Sequence, residues 1–178
     1  MSRIAALTPA TARGAAHEML ADLVGRHGQV GSMVSTMAHS PAVLGGYLQL
    51  SKAMKRAKLS RRVSEVVSIA IQTRQGCQLC QDAHIAAART LGVTDAEIAA
   101  AREGTSPDPA VAAMIATGLA IYSNPTTITD AQVEELHAFG YSDREIVDVV
   151  GIVALNVLTG AFNLVAGLEP APPSAPPP

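Results

Sequence analysis

Apolar residues recur along this chain at spacings of three and four, and no segment sustains strict alternation with β-branched residues, so the pattern predicts helices throughout. "TPATARGAAHEMLADLVGRHG" opens on a Thr8-Pro9 start signal, sets Leu20, Leu23 and Val24 on one face, and stops near Gly28. "HSPAVLGGYLQLSKAMKRAKLS" has Ser40 as N-cap and Pro41 at the first helical position. Gly45-Gly46 weakens its middle, and Lys52, Lys55, Arg56 and Lys58 crowd its far end, where the helix dipole favours cations. Ser60 then caps "RRVSEVVSIAIQTRQ". Val63, Val66, Val67, Ile69, Ala70 and Ile71 make this helix apolar nearly all round, which places it deep in the fold. Its polar residues, Ser64, Glu65, Ser68 and Gln72, form one narrow stripe, and Gly76 ends it.

The next helix is expected from about Cys77 to Leu91, ending at Gly92. "TDAEIAAAREG" opens with a Thr94–Glu97 capping box and closes at Gly104. "SPDPAVAAMIATGLAIYSN" is a further helix, followed by a turn at Pro125. "TDAQVEELHAFG" runs from a Thr129 cap to a Gly140 stop, and "SDREIVDVVGIVALNVLTGAFNLVAG" is the last and longest element. "SEVVSIAI" (64–71) is echoed by "REIVDVVG" (144–151). If the echo marks an internal repeat, Cys77, Cys80 and His84 fall opposite Val157, Gly160 and Leu164; otherwise two buried helices merely look alike. The expected fold is an all-α, single-domain helical bundle over residues 1–168. A Pro-rich, extended and flexible tail follows over 169–178, where "EPAPPSAPPP" has no apolar period with which to pack.

Composition sharpens this picture. With 48% hydrophobic and 16% charged residues in 178, the chain should be globular. Aromatics are 3% and Trp is absent, so the core must be built from Ala, Val, Leu, Ile and Met. A net charge of -2 and the lack of a basic run argue against nucleic acid as a partner. Met1–Ala10 lacks the apolar stretch of a signal peptide. Ile146–Gly167 is the most apolar segment, but Asp148, Asn156, Thr159, Asn163 and three glycines interrupt it, so a core helix or helix pair fits better than a membrane span. The expectation is a cytoplasmic protein with no membrane partner. Thiols in that compartment are normally reduced, and a disulfide there is more often catalytic than structural.

Chemistry concentrates in "RQGCQLCQDAH" (74–84), which holds both cysteines. If Gly76 caps a helix starting at Cys77, both thiols share a face near its positive end, where free N–H groups stabilise a thiolate. His84, four residues past Cys80, lies on the same side. The geometry suits one reactive sulfur, one resolving sulfur and one proton carrier. A zinc site is a rival but would need further ligands, from His17, His27, His39, His137 or an acid. A structural disulfide closing so short a loop gains little chain entropy, and an inert buried pair is the remaining alternative. Glu65 interrupts an otherwise buried helix: its stripe either faces solvent or turns the carboxylate toward the thiols. His39 reads as a cap neighbour, and Met19, Met33, Met37 and Met54 as core filler.

"SEVVSIAIQTRQGCQLCQDAHIAAARTLGV" resembles the alkylhydroperoxidase D-like, carboxymuconolactone decarboxylase family. The family pattern is Glu, eleven residues, Cys-x-x-Cys, three residues, His, and Glu65, Cys77, Cys80 and His84 match each spacing. "AHSPAVLGGYL", "LGVTDAEIAAAREG" and "EELHAFGYSDREIVDVVGIVALNVLTGAFN" look similar too, so the likeness spans about Leu7 to Leu168. The resemblance implies an all-α fold, often with an internal repeat, assembled as a homo-oligomer, a trimer or hexamer. It implies a peroxidase in which Cys80 attacks a hydroperoxide substrate, Cys77 resolves the sulfenic acid, and Glu65 and His84 relay protons. A dithiol electron donor, a lipoyl group or thioredoxin-like protein, would reset the pair; no cofactor and no metal is implied. Peroxidase members of the family carry a His just before the second Cys, where this chain has Leu79, which cannot carry a proton. Two further functions compete: acid–base catalysis like that of the family's lactone decarboxylases, without the thiols, and a non-enzymatic, redox-responsive oligomeric binding protein.

Overall fold

The computed structural model describes residues 2–170, so the expected Pro-rich tail lies, from 171 onward, outside the described residues. Serine, threonine and aspartate caps set most of the helix starts. The described residues form nine α-helices and no strand: α1 (Gly14–His27), α2 (Ser32–Met37), α3 (Pro41–Met54), α4 (Arg61–Gln75), α5 (Gln78–Thr90), α6 (Asp95–Arg102), α7 (Pro109–Ser123), α8 (Asp130–Ala138) and α9 (Asp143–Ala166), with a 3-10 turn at Pro125–Thr127 before α8. The Ser40, Ser60 and Thr129 hydroxyls accept the N–H groups of Val43, Val63 and Gln132, as their positions predict.

Three boundaries differ from the sequence expectation. α1 starts at Gly14, not at Thr8, because Thr8 and Thr11 bond each other's backbone N–H and close a separate turn. α2 carried no signal, since six residues are too few to establish a helical period. α5 starts at Gln78, with Cys77 outside it as the N-cap. α3 runs unbroken through Gly45-Gly46. The echo between 64–71 and 144–151 does not extend onward: the helix carrying the first copy stops at Gly76, whereas α9 continues as one rod through the corresponding Asn156.

α4 is the hub. It packs against α5, α6, α7 and α9, and Val67, Ile69 and Ile71 are fully shielded. Met114 and Ile115 of α7 and Val149 and Val153 of α9 close over it. Full burial of each such side chain stabilises the fold by roughly 1.5–3 kcal/mol. The crossing with α7 is close because of Gly118, where an added Cβ would sit 2.8 Å from Val67 Cγ1. A second, smaller cluster around Leu20, Met37 and Leu44 joins α1, α2 and α3, with Phe162 of α9 packed against it. The N-terminal strap closes the bundle: Arg3 donates its backbone N–H to Ala166 O at 2.8 Å and its guanidinium to Leu164 O at 2.7 Å. α9 is long and apolar enough to cross a membrane; here it is a core helix packed on α3, α4 and α7.

The α6 capping box generates a pH prediction. Glu97 is pushed down to about 2 from 4.5, mainly by accepting the Thr94 backbone N–H and hydroxyl and then by Arg62. A folded-state value below the unfolded one contributes stability above pH 4.5 that is lost as pH falls from there through about 2. Gln at N3 keeps such a box without titrating, as Gln132 does in α8. Urea unfolding at stepped pH should therefore show Glu97→Gln less stable than wild type at pH 6, with the difference vanishing by about pH 2.

Candidate active site

Gly76 builds the site. It adopts φ 78°, ψ 20°, a left-handed conformation that glycine enters without a Cβ clash, and the Gly76 and Cys77 N–H groups both return to Gln72 O. The chain thus leaves α4 and enters α5 within two residues. Cys77 becomes the N-cap of α5, with its Sγ accepting the Cys80 N–H at 3.3 Å. Both cysteines are buried, and they are joined to each other by a disulfide with Cα atoms 5.3 Å apart. The short spacing therefore forms a bridge at the positive end of a helix, where a thiolate is favoured after reduction.

The polar stripe of α4 does not face solvent. Its residues point inward at three depths. Glu65 is mostly shielded and its Oε2 lies 2.7 Å from His84 Nδ1, while Arg61 approaches Oε1 at 3.7 Å from the exposed side. An ionised Glu65 can only accept, so Nδ1 carries the hydrogen and Nε2 is the free proton acceptor. Glu65 therefore turns toward His84 of α5 and not toward solvent. Deeper, Ser68 and Gln72 meet Asn156 of α9: Gln72 Nε2 donates to Asn156 Oδ1 at 2.8 Å, and Asn156 Nδ2 donates to Ser68 Oγ at 2.9 Å and Ile152 O at 2.9 Å. This seam ties the polar stripe of α4 to α9.

A cavity of about 420 Å³ opens over the bridge. Cys80 and His84 form part of its wall, with Met33, Tyr47, Leu79 and Leu155 supplying apolar surface and Asn156, Thr159 and Asn163 the α9 side. Cys77 is not in the wall, so Cys80 is the cysteine that borders this cavity. Leu79 stands in the wall at the position discussed above, making it apolar there. Met33, read from the sequence as core filler, is also part of this wall. A second cavity of about 440 Å³ lies on the far side of His84, lined by Glu65, Ser64, Lys55 and Arg61 among others.

The remaining histidines are elsewhere. His17 Nδ1 lies 2.7 Å from Pro9 O, His39 Nε2 lies 2.9 Å from Ala5 O, and His137 Nε2 pairs with Asp143 at 2.8 Å. No cluster of three metal-ligating His, Cys, Asp or Glu side chains occurs among the described residues. Sequence reasoning missed Asn163. Its Nδ2 lies 3.3 Å from Cys80 Sγ and 4.0 Å from Cys77 Sγ, yet nothing local distinguishes it from a polar interruption in an apolar helix.

Residues 41–122 match the Carboxymuconolactone decarboxylase family. No curated protein matches the chain. Among solved structures, the alkylhydroperoxidase AhpD core of a peroxidase-related protein from Ralstonia eutropha JMP134 is similar with a TM-score of 0.81 and 20% identity, over 96% of this chain and 92% of that one. A peroxidase-related protein from Silicibacter sp. TM1040 follows at TM-score 0.72 and 18% identity, over 86% and 83%. The debrominase Bmp8, in a variant bound to 2,3,4-tribromopyrrole, has TM-score 0.70 and 19% identity, over 95% and 93%. At these identities the likeness concerns the fold, which is the alkylhydroperoxidase D-like helical bundle. The carboxymuconolactone decarboxylase segment covers α3 to α7 and contains Glu65, Cys77, Cys80 and His84. Asn156 and Asn163 lie beyond it, so α9 completes the site from outside the matched segment.

The seam makes a stability prediction. Asn156→Ala removes the Oδ1 acceptor from buried Gln72 and leaves a void beside Ser68, which should cost about 1–3 kcal/mol in chemical denaturation. A loss below a few tenths would mean the seam is not a structural tie.

Proposed function

We propose that the protein is a dithiol peroxidase acting on organic hydroperoxides. The observation that carries this is the juxtaposition of a Cys77–Cys80 bridge with a Glu65–His84 pair, where Cys80 and His84 share the wall of one largely apolar cavity. The fold shared with peroxidase-related proteins adds support. In the reduced enzyme, Cys80 thiolate attacks the terminal hydroperoxide oxygen. The O–O bond breaks, and the departing alkoxide takes from His84 Nε2 the proton that Nε2 accepted when the Cys80 thiol ionised, while Glu65 holds the ring in orientation. Cys80 is left as a sulfenic acid. The Cys77 sulfur then attacks the Cys80 sulfur; the S–OH bond breaks, and the departing hydroxide takes up the Cys77 thiol proton through the same relay and leaves as water, giving the disulfide. A dithiol donor, lipoyl or thioredoxin-like, supplies two electrons and two protons to restore the pair. Leu79 leaves His84 as the proton carrier in this wall, which favours a slow, apolar-substrate enzyme.

Cumene hydroperoxide consumption with dihydrolipoamide tests this. Cys80→Ser should abolish turnover; Cys77→Ser should stop after one equivalent and leave Cys80 reactive to a sulfenic-acid probe. His84→Gln should lower the rate by roughly 10²–10⁴. Turnover by Cys80→Ser equal to wild type would refute the assignment. Because the debrominase Bmp8 shares the fold, brominated pyrroles such as the 2,3,4-tribromopyrrole bound by its variant are the rival ligand class to test beside the hydroperoxide.

The proposed homo-oligomer, a trimer or hexamer, has a natural surface on α9, where Val147, Val150, Val157 and Leu164 repeat at helical spacing and are exposed. Light scattering should give a multiple of the 18.3 kDa chain mass, and Val150→Glu should lower it. An unchanged mass in the variant would move the interface elsewhere.

A further inference from the structure

Among the described residues, Asn163 is the one polar side chain that hydrogen-bonds the bridge from another helix. It is 4% exposed, and its Nδ2 is directed at Cys80 Sγ at 3.3 Å. Its Oδ1 is fully buried and accepts no hydrogen bond among the described residues. Asn156, two turns earlier on α9, shows what a structural asparagine looks like here: Oδ1 accepts from Gln72, and Nδ2 donates to Ser68 and Ile152. Asn163 lacks that two-sided satisfaction. Its side chain has the sulfurs as its polar contacts and is not anchored for packing alone.

A disulfide sulfur is a weak acceptor, whereas a thiolate is a charged and much stronger one. We propose that Asn163 tunes the couple: its Nδ2–H bond to Cys80 is stronger in the reduced, ionised state than in the disulfide, so it favours reduction of the bridge and ionisation of Cys80. In that reduction the donor dithiol forms its own disulfide and the Cys77–Cys80 bond breaks. Two electrons pass to the pair; one of the donor's protons stays on Cys77 sulfur and the other is released, leaving Cys80 as thiolate. The other titratable groups around Cys80 are His84 one turn along α5, Glu65 of α4 behind His84 with Arg61 outside it, and Tyr47 of α3 across the cavity. α9 faces the sulfur with neutral Asn156, Thr159 and Asn163, so Asn163 is the donor on that side. The proposal rests on the pair being redox-cycling, but not on peroxide being its oxidant.

The test uses the full chain. Equilibration with reduced and oxidised dithiothreitol, read by alkylation and mass, gives the bridge's stability; the pH dependence of iodoacetamide reaction gives the Cys80 titration. Asn163→Ala should shift the equilibrium about tenfold toward disulfide, a potential lower by about 30 mV, and move the Cys80 titration to higher pH. Asn163→Asp, similar in shape but placing a carboxylate against the sulfur, should move both further in the same direction. Equilibrium and titration within twofold of wild type in both variants would overturn the proposal. If neither variant folds, the wild-type Asn163 side-chain amide decides by NMR: its proton resonances must shift on reduction, and unchanged resonances overturn the idea. Shifted potentials without peroxide turnover would sink the peroxidase function and leave this role standing; turnover with unshifted potentials would do the reverse.

Discussion

The left-handed turn at Gly76 is the constraint from which the site follows. A helix ending there can reverse within two residues only if the residue at its C′ position tolerates positive φ. That reversal lays α5 back along α4, puts Cys77 at an N-cap and brings Cys80 within bonding range of it. It also returns His84 to the level of Glu65, nineteen residues earlier in the chain. Three features of the site therefore depend on one backbone conformation: the bridge, the helix-dipole environment of the sulfurs, and the carboxylate–imidazole pair.

The second constraint is the polar seam between α4 and α9. Packing two apolar helices face to face needs no serine, glutamine or asparagine. Burying them costs desolvation unless each finds a partner. Here Gln72 Nε2, Asn156 and Ser68 bond to one another, with Gln72 Oε1 left without a partner among the described residues, and these bonds fix the rotation and register of α9 against α4. The same register carries Asn163 onward to the bridge and Leu155 and Thr159 into the cavity wall. Anchor and sulfur contact thus lie on a single helix: Asn156 ties it to α4, and Asn163, two turns on, meets the sulfurs.

Much of the fold was legible in advance because its signals are local. Caps at Ser40, Ser60, Thr94 and Thr129, and stops at Gly28, Gly76, Gly104 and Gly140, act over a few residues each and appear where the spacing places them. The start of α1 was misread because a Thr-Pro pair can open a turn as readily as a helix, and the reciprocal Thr8–Thr11 bonds chose the turn. α2 left no trace because six residues, under two turns, are too few to establish a helical period. The resemblance between 64–71 and 144–151 suggested two equivalent halves, but Gly76 breaks one rod where Asn156, pinned by Gln72, Ser68 and Ile152, continues the other.

The sequence by itself determined an all-helical chain, a buried central helix and the spacing of Glu65, Cys77, Cys80 and His84, since helical period, caps and glycine stops are properties of neighbouring residues. Tertiary structure decided which way the α4 stripe faces, because that orientation depends on where α9 supplies partners eighty residues away. It also decided that Cys80, not Cys77, lines the cavity and that Asn163 reaches the sulfurs. Those relations come from the packing angle between helices, and no local rule in the chain encodes an angle between segments so far apart.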